Sequence, residues 1–158
     1  MLILVDTREQ LPYQFTRYGA TIERTALPTG DYSLPGFESF IAIERKSIDD
    51  LVQCLKGQNR DRFEKELARG RHYECFAVVV EASLDDMKHG RYRSDMQPHA
   101  ALQSITAFMV RYKTPFLWCG SREGGEYLVH SILSKYAAEI QKRYERLSKC
   151  EDKEWLSR

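Results

Sequence analysis

The sequence lacks any long hydrophobic run. No stretch of its 158 residues approaches the roughly 20 apolar residues that a membrane-spanning helix needs. The opening MLILVDTREQ contains a short apolar run, but it has no basic segment before it and no small-residue cleavage site after it. We therefore expect a soluble, cytoplasmic protein without a membrane partner, whose first residues form a buried strand.

Cysteine is scarce and scattered. The four cysteines lie far apart in the chain and none shares a CxxC motif with another. This spacing argues against a zinc site, and the absence of an export signal argues against a disulfide framework. We expect reduced thiols at Cys54, Cys75, Cys119 and Cys150.

Neither sign of charge dominates, and there are no internal repeats or low-complexity segments. The sequence has 24 basic and 23 acidic side chains, for a formal net charge of +1. Any nucleic-acid contact must therefore depend on a local patch. The length fits one domain, so residues 1–158 are expected to fold as a single unit.

Hydrophobic patterning predicts an α/β fold. Strands are predicted at residues 2–6, 20–27, 31–34, 39–45, 75–82 and 114–119. Helices are predicted at residues 47–56, 59–69, 98–112 and 122–149, the first with an N-cap at Ser47. We expect the strands before residue 46 to form an antiparallel meander. The whole should be a mixed central β-sheet flanked by helices on both faces.

Acidic residues gather at the predicted strand ends. Asp31 begins a hairpin that turns at Pro35-Gly36, and Glu44 lies on its return strand. Asp6, which ends the first strand, joins them if that strand neighbours the hairpin. Two carboxylates about 5 Å apart repel by about 3 kcal/mol at an effective dielectric near 20. Such a cluster needs a cation, a shared proton or a well-placed base to offset that repulsion, and hard oxygen ligands suit Mg²⁺ or Mn²⁺.

Strand alternation sorts the charges of the segment Glu44-Arg45-Lys46. Glu44 and Lys46 should point to one face of the strand and Arg45 to the other. A metal beside Glu44 would polarise a phosphoryl oxygen and activate water, while Lys46 orients that water or offsets developing charge. This is the chemistry of phosphodiester hydrolysis. From spacing alone, ordinary surface salt bridges, and helix capping by Asp50, remain open as alternatives.

Taken together, these motifs resemble the signature of a nuclease family. Gly30-Asp31, Glu44-Arg45-Lys46 and Asp50 are similar to the GD…ERKxxxD motif of XPF-type structure-specific endonucleases. That family belongs to the restriction-endonuclease-like PD-(D/E)XK superfamily. DTRE at residues 6–9 is similar to the family's DxRE, and RFEKELARGRHYECFAVVVEA at residues 62–82 resembles its following helix and apolar strand. The resemblance is strongest over residues 1–120.

The resemblance implies a divalent-metal nuclease site. Asp31 and Glu44 would hold Mg²⁺ or Mn²⁺ with the backbone carbonyl of Arg45, and Asp6 would be an additional ligand or a partner of metal-bound water. Lys46 would be the catalytic lysine. The remaining motif residues are expected to orient groups in the site or to contact phosphate: Arg8, Glu9, Arg45 and Asp50.

Two basic segments are candidates for contact with the DNA backbone. Residues 56–71 contain six basic side chains against three acidic ones, and residues 88–93 add a basic and aromatic loop. The first segment could equally be a solvated helix face with i,i+4 ion pairs. The expected DNA contacts are Arg8, Glu9, Lys56, Arg60, Arg62, Arg91 and Arg93.

The C-terminal part departs from many members of the family. The sequence shows no tandem helix-hairpin-helix domain and resembles the stand-alone forms encoded by bacteria or phages. Its last predicted helix carries an apolar stripe that fits either the core or a homodimer interface. The members of this stripe are Leu128, Ile132, Tyr136, Ile140, Tyr144 and Leu147.

The functional hypothesis is a metal-dependent DNA endonuclease, associated with the nucleoid if bacterial or phage-encoded. By resemblance, it would act on branched or flap DNA in repair or recombination. The alternative is a catalytically silent DNA-binding or scaffold module of a repair complex. Retention of Asp6, Asp31, Glu44 and Lys46 argues for activity. Nothing in the sequence senses a 2′-hydroxyl, so an RNA nuclease is a third interpretation.

Overall fold

In the computed structural model, which describes residues 1–151, six strands form a mixed sheet in the order β2-β1-β3-β4-β5-β6. The strands are β1 (Leu2–Asp6), β2 (Thr21–Thr25), β3 (Tyr32–Ser33), β4 (Ile41–Lys46), β5 (Cys75–Val80) and β6 (Phe116–Trp118). The helices are α1 (Ile48–Gln53), α2 (Gly57–Gly70), α3 (Leu84–Lys88), α4 (Pro98–Tyr112) and α5 (Arg122–Glu151). The predicted α/β class with a mixed central sheet is confirmed.

Only β3 runs against the other strands. It pairs antiparallel with β1 and β4, whereas β1 pairs parallel with β2, and β4, β5 and β6 run parallel. The predicted antiparallel meander is therefore wrong for β1 and β2. Residues 7–20 form a crossover long enough to return the chain in the same direction. Within it, Tyr13 and Phe15 are buried against the sheet, which the strand pattern alone did not reveal.

Apolar side chains of the sheet fill cores on both of its faces. On one face, Val78 and Val80 pack with Phe63, Leu67 and other residues of α1, α2 and α4. On the opposite face, the alternate residues of β5 pack beneath α5. Strand β5 is buried on both faces, as its apolar sequence predicted, but it lies next to the edge strand β6 and not at the centre of the sheet.

Serine caps begin two of the short helices. Ser47 accepts a hydrogen bond from the backbone N–H of Asp50, which confirms the predicted N-cap of α1, although the helix ends at Gln53 rather than at residue 56. The sequence analysis missed α3. There Ser83 and Asp86 form a reciprocal capping box, a Ser-x-x-Asp pattern readable in the sequence.

The apolar stripe of α5 divides between core and surface. The deepest positions of the helix are Val129 and Leu133, which are fully buried. The predicted stripe members that pack against the same core are the half-buried Leu128, Ile132 and Tyr136. Farther along, Tyr144 is 66% exposed and Leu147 is 63% exposed, so the core interpretation holds only for the first half of the stripe.

Two glycines let the first turn of α5 approach its neighbours closely. A Cβ atom at Gly124 would meet the backbone carbonyl of Cys119, and one at Gly125 would meet the hydroxyl of Tyr13. A carbonyl held in the chain cannot move aside as a flexible side chain can. The pair of glycines therefore allows α5 to start against the end of β6.

We expect Gly124→Ala to lower the free energy of unfolding by about 1–3 kcal/mol, because the overpacking exceeds the gain in helix propensity. Urea denaturation measures the change. The exposed Lys135→Ala, in the same helix, is the control and should stay within about 0.5 kcal/mol of the parent. A Gly124 variant as stable as this control would contradict the packing argument.

Candidate active site

The reversal of β3 brings Asp31 to the edge where β1 and β4 end. The backbone N–H of Asp31 donates to the carbonyl of Ile43 at 2.9 Å, and its carbonyl accepts from the N–H of Asp6 at 2.8 Å. Asp31 is therefore fixed between the last residues of two strands. Carboxyl ends of parallel strands are a common place for binding sites in α/β folds.

Half-buried Asp31 and buried Glu44 form an acidic pair beside Lys46. The carboxylate of Asp31 accepts the backbone N–H of Arg45 at 2.7 Å. Glu44 is 4% exposed and forms an ion pair with the ammonium group of Lys46. Lys46 Nζ also lies 5.4 Å from the ring centre of Phe63 on α2. As predicted from alternation, Glu44 and Lys46 share one face of β4.

Burial and repulsion alter the pKa values of this pair. Burial raises the pKa of Asp31 from 3.8 to about 6, against the opposing effects of the Arg45 N–H and the Lys46 charge. Burial also raises the pKa of Glu44, and the charge of Asp31 adds to the rise. Burial alone would lower the pKa of Lys46, but the neighbouring Glu44 carboxylate outweighs it and raises that pKa. Lys46 is therefore a cation at neutral pH.

This donor set fits a divalent cation. Two buried carboxylates that resist ionisation together would both be stabilised by a positive ion between them. Within residues 1–151, no group of three or more His, Cys, Asp or Glu side chains is placed to hold a metal. A two-carboxylate site still suits Mg²⁺, which keeps several waters and commonly binds through one or two carboxylates and substrate phosphate.

Asp6 is engaged by the chain itself. Its Oδ1 accepts from Arg8 Nε at 2.6 Å, and its Oδ2 accepts from Arg8 Nη2 at 3.1 Å and from the Leu27 N–H at 2.7 Å. Burial would raise the pKa of Asp6, but these hydrogen bonds outweigh it and lower the pKa. The observed role of Asp6 is to hold the DTRE turn and Arg8; its role as a metal ligand stays a prediction.

Arg45 points away from the acidic pair into a buried ion-pair network. Its Nε and Nη2 donate to the two carboxylate oxygens of Glu9, at 2.9 and 3.1 Å, and its Nη1 donates to Glu81 at 3.1 Å. The hydroxyl of Tyr13 donates to the other oxygen of Glu81 at 2.6 Å. The side chain of Arg45 is only 10% exposed. The structure thus gives Arg45 and Glu9 an internal partner each, and phosphate contact by either stays a prediction.

Asp50 lies at the rim of the cleft that Asp31 lines, here called the cleft of the acidic pair although the buried Glu44 lies behind its lining. This cleft has a volume of about 570 Å³ and is bordered by Arg8, Asp31, Lys46 and Asp50. The carboxylate of Asp50 accepts the Ser47 hydroxyl at 2.7 Å. Helix capping and a position beside the cleft therefore occur together, and a catalytic role for Asp50 stays a prediction.

The predicted DNA contacts fall into two groups. Four of them form ion pairs on the surface: Lys56 with Asp95, Arg60 with Glu64, Arg91 with Asp85 and Asp86, and Arg93 with Asp49. Exposed pairs of this kind contribute at most about 1 kcal/mol, so a phosphate could displace the carboxylate and take its place beside the basic side chain. The other two basic candidates, Arg8 and Arg62, border a second cavity beside Lys46.

Three charged residues near the site were not among the predicted site residues, although two of them belong to the basic segment 56–71. Glu81 follows the apolar run of β5 directly, a position that signals a residue at the sheet edge. Glu66 and Arg69 lie four and seven residues after Arg62 on α2, and this spacing places all three on one helix face. Their relation to Asp31 depends on how α2 packs, so the sequence alone could not place them.

Comparisons with known proteins agree with this geometry. The model of the ERCC4 domain matches residues 5–131. XPF from Aeropyrum pernix superposes with a TM-score of 0.69 and 21% identity, over 92% of this chain and 69% of that chain. A complex of Aeropyrum pernix XPF with DNA gives a TM-score of 0.66 and 22% identity, over 88% of this chain and 66% of that one. No curated protein matches the sequence.

These similarities establish the fold of the chain. The chain spans about two thirds of the length of each XPF chain, with 69% and 66% covered. Among the described helices, none is long and apolar enough to cross a membrane.

The raised pKa of Asp31 predicts how the metal-free protein responds to pH. Because the folded state holds this proton more tightly than the unfolded state, the stabilisation is complete below about pH 4 and is lost as pH rises through 6. We expect Asp31→Asn to raise the melting temperature at pH 7 in EDTA by about 2–6 °C. At pH 4 the difference should disappear. Asp61→Asn, an exposed acid on α2, is the control, and a pH-independent effect at Asp31 would argue against this account.

The ion-pair network predicts a large loss of stability on removal of its cation. Arg45→Met leaves buried Glu9 without an ion-pair partner and leaves Glu81 only its contacts with Arg122 and Tyr13, so the free energy of unfolding should fall by about 3–5 kcal/mol. Arg143→Met, which breaks the exposed pair with Glu74, is the matched control and should cost no more than about 1 kcal/mol. Equal losses in the two variants, measured by chemical denaturation, would refute the buried network.

Proposed function

Because the chain belongs to the ERCC4 domain family, we propose that it is a divalent-metal-dependent endonuclease that hydrolyses phosphodiester bonds in DNA. The observation that carries the proposal is the pair of half-buried Asp31 and buried Glu44 beside Lys46 at the sheet edge. Two carboxylates with only a structural role would be more stable if they lay farther apart. Two adjacent carboxylates whose pKa values are raised by burial and by neighbouring negative charge would be stabilised in their ionised form by a bound cation.

The metal would be Mg²⁺ or Mn²⁺, held by Asp31, Glu44 and the backbone carbonyl of Arg45. When bound, such an ion supplies Lewis acidity toward a phosphoryl oxygen and lowers the pKa of a coordinated water. The two carboxylates supply the negative charge that retains it. Asp6 is proposed to contribute through water, because its own oxygens already accept hydrogen bonds from Arg8 and Leu27.

Lys46 acts as a cation and not as a general base. Its pKa is raised by the carboxylate of Glu44, so its ammonium group has protons to donate and no lone pair to accept one. It is proposed to orient the attacking water and to offset negative charge on the phosphate in the transition state. Glu44 holds the ammonium group at the place where the cleft and the acidic pair meet.

The proposed substrate is branched or flap DNA in repair or recombination. Support comes from the family and from the likeness to an XPF solved in complex with DNA. We also propose that the chain is one nuclease domain, that it acts in the cytoplasm, nucleoid-associated if bacterial or phage-encoded, and that a homodimer forms through α5. Exposed Tyr144 and Leu147 on α5 support such a contact.

The decisive experiment combines metal, substrate and variants. Purified protein is incubated with Mg²⁺, Mn²⁺ or EDTA and with labelled flap, fork and duplex DNA. We expect cleavage only with metal, and a loss of at least about 10²-fold in Asp31→Asn, Glu44→Gln and Lys46→Met. Glu74→Gln, an exposed acid in an ion pair with Arg143, is the control and should cleave at the parent rate.

Several outcomes would contradict the proposal. Cleavage of none of the DNA substrates, or equal cleavage by parent and Asp31→Asn, would overturn it. Metal-dependent binding of DNA without cleavage would favour the silent scaffold module. Faster hydrolysis of the corresponding RNA would identify a ribonuclease. Calorimetric titration with Mn²⁺ is a second readout, in which Glu44→Gln should lose metal binding that Glu74→Gln retains.

A further inference from the structure

A second cavity opens on the other side of Lys46, against α2. It has a volume of about 300 Å³, and its polar lining comprises Arg8, Lys46, Asn59, Arg62, Glu66 and Arg69. We call it the α2 cavity. Arg8 and Lys46 border both this cavity and the cleft of the acidic pair, so the two spaces are adjacent.

The charges of the two spaces differ. The α2 cavity has four basic side chains and one acidic side chain, Glu66, among its lining residues. The cleft of the acidic pair has three basic and three acidic side chains. A phosphate would therefore be held electrostatically in the α2 cavity, whereas in the cleft it would need an added cation.

The arginines of the α2 cavity are held in position with N–H donors left over: Arg8 is ion-paired with Asp6, whereas Arg62 and Arg69 form no ion pair within residues 1–151. Arg8 uses Nε and Nη2 to bind Asp6 and Leu27, so its Nη1 has no hydrogen-bond partner among the described residues. Arg69 donates from Nε to the hydroxyl of buried Thr29 at 2.8 Å, which again leaves both terminal nitrogens without a partner in residues 1–151.

Arg62 and Glu66 complete this arrangement. Across the part of the chain that the structure describes, Arg62 makes neither a hydrogen bond nor an ion pair. Glu66 accepts the backbone N–H of Gly30 at 3.2 Å and forms no ion pair with the arginines beside it on the helix. Glu66 thus fixes the loop before Asp31. Arg62 and Arg69 have no ion-pair partner within the described residues, so their charge is available to bind an anionic ligand.

The chemistry of the α2 cavity favours a phosphate over a base. Guanidinium groups present paired N–H donors that match phosphate oxygens. Phe63, the aromatic residue in the cavity wall, is 2% exposed and offers no free face for base stacking. Lys46 marks the boundary with the cleft, so the bound phosphate must be near the one that is cut.

We propose that the α2 cavity binds the backbone phosphate next to the scissile one, on the same strand, and so sets the direction in which that strand crosses the site. This inference rests on the proposed nuclease function. The strand then runs along α2 and over Lys46 into the cleft.

Binding of DNA by the full chain in Ca²⁺ tests the proposal through charge and salt dependence. Removing one phosphate contact should reduce the slope of log Kd against log salt concentration by about 0.7–0.9. We expect Arg62→Gln and Arg69→Gln each to weaken binding severalfold, and the double variant to show this reduced slope. Arg71→Gln removes the same charge from about the opposite side of α2 and should leave affinity and slope unchanged.

A second arm uses the unaltered protein and alters the DNA. Neutral methylphosphonate groups are placed one at a time on either side of the cleavage position. A single position, on one side only, should weaken binding by the parent protein, and Arg62→Gln with Arg69→Gln should abolish that position's effect. Calorimetric Mn²⁺ affinity should be the same in the double variant as in the parent, which separates phosphate binding from loss of the metal site.

The failures of the two proposals are distinguishable. If the parent cleaves DNA but the arginine variants bind like Arg71→Gln, the α2 cavity proposal is overturned and the nuclease proposal stands. Methylphosphonate effects of equal size on both sides of the cut would also overturn it. If no DNA is cleaved but binding still depends on Arg62, Arg69 and one phosphate, the cavity assignment is supported and catalysis is not.

Discussion

The candidate active site depends on the backbone pairing of Asp31. This residue bonds Ile43 through its N–H and Asp6 through its carbonyl, so the short reversed strand β3 joins the ends of β1 and β4. Its carboxylate then receives the N–H of Arg45, one residue after Glu44. Backbone hydrogen bonds within a sheet are rigid compared with side-chain contacts. Strand register therefore fixes the relative backbone positions of Asp31 and Glu44, whichever rotamers their side chains adopt.

Because side chains alternate along β4, one face of the strand carries the acidic residue of the candidate site and the other face carries a stabilising ion-pair network. Lys46 lines the cleft and forms an ion pair with Glu44 on the same face, where burial and the charge of Asp31 raise the pKa of the acid. Arg45 faces the other way and is neutralised by Glu9 and Glu81 in a network that is almost fully buried. Such a network is costly to assemble but strongly resists the loss of any member. The network can hold β4 in place although the repulsion between Asp31 and Glu44 on the opposite face is not fully offset.

The sequence correctly predicted those features of the fold that depend on residues close together in the chain. The hairpin turn, the Ser47 cap and the opposite orientations of Glu44 and Arg45 all depend on residues within a few positions of one another. Long-range contacts were beyond such patterns. The parallel pairing of β1 with β2 depends on a buried crossover, and the partner of Arg45 at Glu81 lies 36 residues away. The family resemblance predicted the metal ligands, but it did not predict these long-range contacts.

The distribution of charge around Lys46 links the metal site to the path of the substrate. Lys46 and Arg8 stand between a cleft with balanced charges and a cavity with an excess of cations. A polyanion that approaches this edge is attracted first toward α2, and only an added cation makes the acidic side equally favourable. Metal binding and strand placement are then complementary. In the proposed complex, the cation that offsets the repulsion of Asp31 and Glu44 would also admit the scissile phosphate beside the neighbouring phosphate in the α2 cavity.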